Sequence, residues 1–167
     1  GATYRAVAKK GSSWFYRGAF AKSTEKWMKD NGGILTAADF AAYRIELREP
    51  IRTKYRGHDI VSFPPPSSGG VHVAQMLNIL EAFDLKSLDE ASRWHVIAEA
   101  MKLAFADRAY WLGDPGFVKV PRGLVSAEYA ANLFGKINPL HAKIVPEHNV
   151  PPHAGSDVFG DKHTTNL

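Results

Sequence analysis

The sequence predicts a helix-rich α+β chain with a few short strands confined to residues 44–63. Three observations predict it. Apolar residues recur at helical spacing in several separate stretches. The period falls to two only between Arg44 and Phe63. From Ile137 onward no period is visible at all.

Taken in order, residues 13–31 read as one helix, with Phe20, Thr24, Trp27 and Met28 at helical spacing and Asn31-Gly32-Gly33 as its stop. Thr36 then caps a short helix ending near Tyr43, with Asp39 at the capping-box position. "RIELREPIRTKYRGHDIVSFPPP" alternates at Ile45, Leu47, Ile51, Thr53 and Tyr55, which predicts two or three short strands with a hairpin turn at Gly57-His58. Pro64-Pro65-Pro66 ends the last strand in an extended segment. Ser67-Ser68-Gly69-Gly70 opens a helix over 70–83 whose apolar face is Val73, Met76, Leu77, Leu80 and Phe83. A capping box from Ser87 to Glu90 starts a long helix to Leu112, with Trp94, Ile97, Met101, Ala104 and Phe105 on one side. Gly113-Asp114-Pro115-Gly116 stops it, and Ser126 starts a shorter helix to about residue 135. The remainder is rich in Pro, Gly, His and Asn. The chain thus divides into a folded part, 1–136, and an extended or disordered tail, 137–167.

Composition narrows the function classes. With 45% hydrophobic and 23% charged residues, a chain of 167 residues can build a core. No apolar run approaches the roughly 18 residues a membrane span needs. The opening "GATYRAVAKKGSS" has basic residues but no apolar stretch, so it is no signal peptide, and any leader lies upstream. The net charge of +4 is spread over scattered Lys and Arg, which argues against nucleic-acid binding. Cysteine is absent, which removes thiol chemistry, disulfides and cysteine-held metals.

Several polar groups invite a chemical reading. His141, His148, His153 and His163 sit in the tail at irregular spacing and suit solvated positions better than a metal site. His95 and Glu99 are one helical turn apart, a spacing that serves a metal or, more simply, a local pair. Glu99 and Asp107 are too far apart along the helix for a carboxylate dyad, and Asp107 adjoins Arg108, which favours a structural salt bridge. "PPPSSGG" could present helix amides to an anion, but a tight lead into a helix packed on other backbone fits better, because no phosphate-loop lysine follows.

The last candidate is Thr164 in "DKHTTNL". A threonine hydroxyl is a poor nucleophile without an adjacent base. An N-terminal threonine carries its own base, an α-amine with an ordinary pKa near 8. A precursor can generate that group itself, when the hydroxyl attacks the preceding carbonyl and the resulting ester hydrolyses. The Pro/Gly-rich stretch ending at His163 suits the linker such a reaction needs. Two threonines alone carry little weight.

The stretch from Asn31 to Leu85 strongly resembles the C-terminal part of the large subunit of γ-glutamyltransferases (γ-glutamyltranspeptidase, glutathione hydrolase). The resemblance rests on Asn31-Gly32-Gly33 with Asp39 and Tyr43; on Tyr55-Arg56-Gly57; and on Pro64 to Gly70 followed by Gln75, Leu77, Asn78, Leu80 and Glu81. It continues through Glu99, Ala100, Ala104, Ala106-Asp107-Arg108, Leu112-Gly113-Asp114-Pro115 and Phe117 to Pro121, and covers the chain from about Gly11 to its end.

The resemblance implies a partial large-subunit domain of the four-layered αββα N-terminal-nucleophile hydrolase fold. It implies cleavage of His163-Thr164, with Thr164 as the nucleophile of self-processing and then of γ-glutamyl transfer through a Thr ester. Thr165 follows in the same pattern. Glutathione or other γ-glutamyl compounds are the implied substrates, and water or amino-acid amines the acceptors. No cofactor or metal is implied. The partner is the small subunit, and the compartment is periplasmic or secreted. Related acylases of cephalosporin or glutaryl type, poly-γ-glutamate transpeptidases, and a non-catalytic scaffold homologue remain alternatives. The fragment is expected to expose apolar edges and faces and to self-associate. Without oxyanion and binding groups, the 167-residue chain alone is expected neither to transfer γ-glutamyl groups nor to cleave itself efficiently. Incubating the purified chain with a γ-glutamyl anilide checks this: no anilide release is expected, and steady turnover contradicts it.

Overall fold

The computed structural model describes residues 1–160, which fall into two compact units, 1–47 and the part beginning at Arg48. The first unit holds four helices, α1 (Ala2–Lys10), α2 (Ser12–Tyr16), α3 (Ala19–Asp30) and α4 (Ala37–Ala42). The single helix expected over 13–31 is broken at Arg17-Gly18. A Cβ on Gly18 would lie 2.7 Å from the Trp14 carbonyl oxygen, so the chain turns where only glycine fits. The break lets Phe15 and Phe20 stack at 4.4 Å and meet Phe40 of α4 edge-on at 5.8 and 5.9 Å. The stop of α3 is as expected. Gly32 takes φ +74°, and Gly33 N–H donates to the Met28 carbonyl at 2.8 Å, closing a Schellman turn. The Thr36–Asp39 capping box also forms, with Asp39 Oδ2 accepting from the Thr36 backbone N–H at 2.8 Å.

The second unit opens with an antiparallel hairpin, β1 (Ile51–Tyr55) and β2 (His58–Ser62). Residues 44–50 form no strand, and Ile45 and Leu47 are exposed. The turn is Arg56-Gly57, one residue before the expected position, because Tyr55 pairs with His58. Both turn residues have positive φ, 51° and 80°, the conformation that matches strand twist. Arg56 tolerates it because the end of the next helix, α5 (Ser68–Glu81), holds it: its N–H donates to Glu81 Oε2 at 3.0 Å, and its guanidinium reaches the Leu80 and Phe83 carbonyls.

Helix α5 (Ser68–Glu81) is the centre of this unit, packing on β1, α6 (Glu90–Trp111), a 3-10 turn (Arg122–Val125) and α7 (Ala127–Phe134). The "SSGG" lead is a close backbone approach. A Cβ on Gly70 would sit 1.9 Å from the Phe63 carbonyl oxygen. Asn78 of α5 joins two neighbours, accepting from Thr53 Oγ1 at 2.5 Å and donating to the Val125 carbonyl at 2.8 Å. The cap of α6 is Asp89, whose carboxylate accepts from Ser92 N–H at 2.8 Å, and not Ser87, which closes the preceding turn onto Asp84. Ser126 caps α7 as expected, accepting from Tyr129 N–H at 3.1 Å.

The buried faces match the expected ones only in part: Leu80 and Ala104 are buried, and Ile97 and Phe83 pack on the core. Helix α5 buries Val71, His72, Ala74, Gln75, Ile79 and Leu80, while Val73 is exposed. Helix α6 buries Val96, Glu99, Ala100, Leu103, Ala104 and Asp107, while Trp94, Met101 and Phe105 face outward. The core proper is Val71, Ile79, Val96, Leu103, Val120, Leu124, Tyr129 and Leu133. Among the described residues no helix is long and apolar enough to cross a membrane.

His72 is buried against the edge of Phe105, centroids 4.3 Å apart, and neither ring nitrogen has a hydrogen-bond partner of good geometry. Burial, and then the Arg108 charge, lower its pKa below the ordinary imidazole value, with the Ala104 backbone and Asp107 opposing. The unfolded chain therefore takes up more protons once pH drops below about 6.5, so the stability from a neutral His72 is present above that point and lost below it. Thermal midpoints should fall more between pH 7.5 and 5.5 in the parent chain than in His72→Phe; identical slopes would contradict this.

Candidate functional site

The expected nucleophile Thr164 and its neighbour His163 lie outside the described residues. What the structure displays is the path leading to them, from Ile137 to Gly160. This segment has no helix or strand, and it is tied down along its length by hydrogen bonds to α6, α7 and the 3-10 turn.

The ties begin on α6, whose inward face carries two carboxylates. Glu99, 3% exposed, accepts from Lys143 N–H at 3.3 Å and pairs with Lys102 one turn away at 2.5 Å. Lys102 in turn donates to the Lys143 carbonyl, and Lys143 Nζ donates to the Lys136 carbonyl at 2.9 Å. A cavity of about 310 Å³ remains between this strap and α6, lined by Glu99, Leu103, Lys136, Lys143 and Asn149 among others.

Two turns further along, Asp107 is fully buried. Its Oδ2 accepts from Gln75 Nε2 of α5 at 2.6 Å and from the Tyr129 hydroxyl of α7 at 2.7 Å. Its Oδ1 accepts from the Asn149 backbone N–H at 2.7 Å. One carboxylate therefore joins three helices to the strap. Burial, followed by the Asp107 hydrogen bond and charge, pushes the Tyr129 phenol far above its ordinary value, so it remains a donor at any working pH. The carbonyl of the same residue is held too: Trp111 Nε1 donates to the Asn149 carbonyl at 2.8 Å.

Beyond Asn149 the strap follows the 3-10 turn. Gly123 admits it, since a Cβ there would lie 2.3 Å from the Pro152 carbonyl oxygen. Val158 bridges to Pro121, and Phe159 N–H donates to the Val120 carbonyl at 2.8 Å. Val158 and Phe159 are buried, and the described chain ends at Gly160.

Several expected groupings do not form. Asp107 does not pair with Arg108, which donates instead to Ser68 Oγ at 3.2 Å. Adjacent residues on a helix point about 100° apart, and that spacing was the available signal against the pair. His95 is bonded to the Asn138 carbonyl at 2.9 Å, so Glu99 and His95 serve separate points of the strap. The tail histidines are not alike: His148 stacks on Tyr110 at 3.4 Å and meets Trp111 edge-on, while His141 is exposed. Among the described residues no group of three or more His, Cys, Asp or Glu side chains is placed to hold a metal ion. The anchoring roles of Asp107, Trp111 and Arg122 were not expected from the sequence, because the strap atoms they hold are largely backbone groups that leave no side-chain pattern.

Known proteins agree with this architecture. The sequence model of the gamma-glutamyltranspeptidase family matches residues 1–167. The chain is 50% identical over 132 residues to the acylase ACY 1 proenzyme of Pseudomonas sp. strain SE83, covering 77% of this chain and 24% of that protein. It is 45% identical over 140 residues to the glutathione hydrolase proenzyme of Escherichia coli K12, covering 82% of this chain and 24% of that protein. Among solved structures, the gamma-glutamyltranspeptidase of Helicobacter pylori superposes with a TM-score of 0.79 at 37% identity, over 99% of this chain and 46% of that chain. The chain thus spans about a quarter of the length of the curated relatives it matches.

The three donors on Asp107 set the energetic expectation. Tyr129→Phe removes one charge-assisted bond and should cost about 1.5–3 kcal/mol. Asp107→Ala strands three buried donors at once and should cost more, on the order of 4 kcal/mol. Urea unfolding of both variants checks the ranking, and an Asp107→Ala cost no larger than that of Tyr129→Phe contradicts it.

Proposed function

The chain belongs to the gamma-glutamyltranspeptidase family, and from that we infer that it is the part of a self-processing proenzyme leading up to the cleavage point, with Thr164 as nucleophile. The Thr164 hydroxyl attacks the carbonyl carbon of His163. The peptide C–N bond breaks, and its nitrogen leaves as the protonated α-amine of Thr164. Water then hydrolyses the ester, giving a His163 carboxylate and a free threonine hydroxyl. The new α-amine, neutral in part near pH 8, can take the proton of its own hydroxyl in the next attack. That attack falls on the γ-carbonyl of glutathione or another γ-glutamyl compound. The amine portion of the donor leaves with a proton, and water or an amino-acid amine resolves the γ-glutamyl ester.

The observation that carries this reading is the strap. A segment without regular structure, rich in Pro and Gly, is fastened at Glu99, Asp107, Trp111 and Val120, and its described part stops three residues before His163. Such fastening suits a peptide bond that must be presented in one place. The family relationship supports Thr164 itself. A partner subunit beginning at Thr164 would supply the binding and oxyanion groups, and a periplasmic or secreted location follows the same family reading. Alone, the chain should self-associate, since the hairpin has open edges among the described residues and Phe63 and Phe117 are exposed.

A second reading has its own observation. The 50% identity to an acylase proenzyme supports an acylase that shares the same processing and differs in the acyl group it accepts. Hydrolysis of a γ-glutamyl anilide compared with deacylation of a cephalosporin separates the two.

Intact masses test the core of the proposal. The full-length protein, expressed and incubated, should yield two chains, the second starting at Thr164, and Thr164→Ala should remain a single chain. A cut elsewhere, or cleavage of Thr164→Ala at the wild-type rate, removes Thr164 from its role.

A further inference from the structure

The last described turn before the His163–Thr164 bond is built more elaborately than chain connection requires. Arg122 engages three successive strap residues. Its Nε lies 3.5 Å from Asp157 Oδ1 and donates to the Val158 carbonyl at 3.1 Å, and its guanidinium carbon sits 4.9 Å over the Phe159 ring. Its backbone N–H donates to the Asp157 carbonyl at 2.9 Å, beside the Phe159-to-Val120 bond at 2.8 Å. Backbone pairing and side chain together fix both the register and the face of residues 157–159.

Gly160 follows with φ +85°, and a Cβ there would lie 2.8 Å from Pro115 Cβ. The backbone therefore leaves the clamp in a conformation, and against a neighbour, that disfavour any side chain. The Arg122–Asp157 ion pair itself adds little stability. The Arg122 and Asp157 side chains are 38% and 52% exposed, and exposed pairs contribute at most about 1 kcal/mol.

We propose that Arg122, with the turn at Gly160, is a positioning device for self-cleavage: it fixes the point from which the chain runs to the His163–Thr164 bond. The proposal rests on the Thr164 reading. Arg122 is a positioning residue and not a catalytic one. An intramolecular attack needs its reacting atoms held at roughly 3–3.5 Å, and a displacement of about 1 Å costs on the order of a hundred-fold in rate. Only three residues lie between Gly160 and Thr164, so the clamp is the nearest described anchor to the reacting groups.

The test uses the full-length proenzyme, isolated before cleavage. Self-cleavage is followed as a first-order loss of precursor in the parent, Arg122→Gln, Arg122→Lys and Gly160→Ala. The same preparations, once cleaved to completion, are assayed for kcat and KM, and the thermal midpoint of each precursor is recorded. Arg122→Gln and Gly160→Ala should slow cleavage by about ten-fold or more. Arg122→Lys, which keeps the charge over Phe159, should recover part of the rate. The matured enzymes should agree with the parent within about two-fold in kcat and KM, and the midpoints of the two Arg122 variants should barely move. Parent-like cleavage in both Arg122→Gln and Gly160→Ala overturns the proposal. So does slowed cleavage that comes with a matching fall in matured kcat and in thermal midpoint, which is the signature of general damage. A parent protein that never cleaves overturns the Thr164 reading itself, and the clamp proposal with it.

Discussion

The second unit is organised around one carboxylate. Burying Asp107 would be strongly unfavourable without partners, because its oxygens lose water and gain nothing in return. Three donors remove that penalty, and each comes from a different place: Gln75 on α5, Tyr129 on α7 and the Asn149 backbone on the strap. None of these elements can dock alone without leaving a polar group stranded. The carboxylate thus makes the arrival of α5, α7 and the strap on α6 an all-or-none event. Apolar packing by Val71, Leu103 and Leu133 supplies the driving force, and the hydrogen-bonded centre selects one arrangement among those that packing permits.

This arrangement bears on why one segment can be near-equally similar to an acylase and to a glutathione hydrolase. What the described residues contribute is a frame for a strand of backbone: a helix with two inward carboxylates, an indole and a short 3-10 turn. On the proposed reading, a segment that holds a cleavage point would be shared by enzymes that differ in what they cut afterwards.

Much of the fold was legible in the sequence, and the failures have definite causes. Helix boundaries fixed by chemistry were read well: the Thr36–Asp39 box, the Gly32 stop and the Ser126 cap all form. Helix faces were read poorly. On α6 the apolar stripe of Trp94, Met101 and Phe105 points outward, and the inward face carries Glu99 and Asp107. A rule that puts large apolar residues inside fails wherever a helix is buried for the sake of its polar groups. The hairpin turn was misplaced by one residue because arginine at positive φ is unfavourable locally, and only the carboxylate and carbonyls at the end of α5 make it acceptable. The expected nucleophile, a threonine after a linker, lies outside the described residues. The anchors of the strap were not legible, since helical spacing records which side chains share a face and is silent about which ones reach a distant peptide.

Most of the hydrogen bonds that fasten the strap use its main chain. Asn149 offers its N–H and carbonyl, Asp157 and Val158 their carbonyls and Phe159 its N–H. Main-chain groups are the same for nearly every amino acid. Between its fastened points the strap can therefore drift in sequence over evolutionary time while keeping one course across the protein. The positions resistant to drift lie on the frame: Asp107, Trp111, Gly123 and Arg122. A search for what guides the strap should look to the residues that grip it.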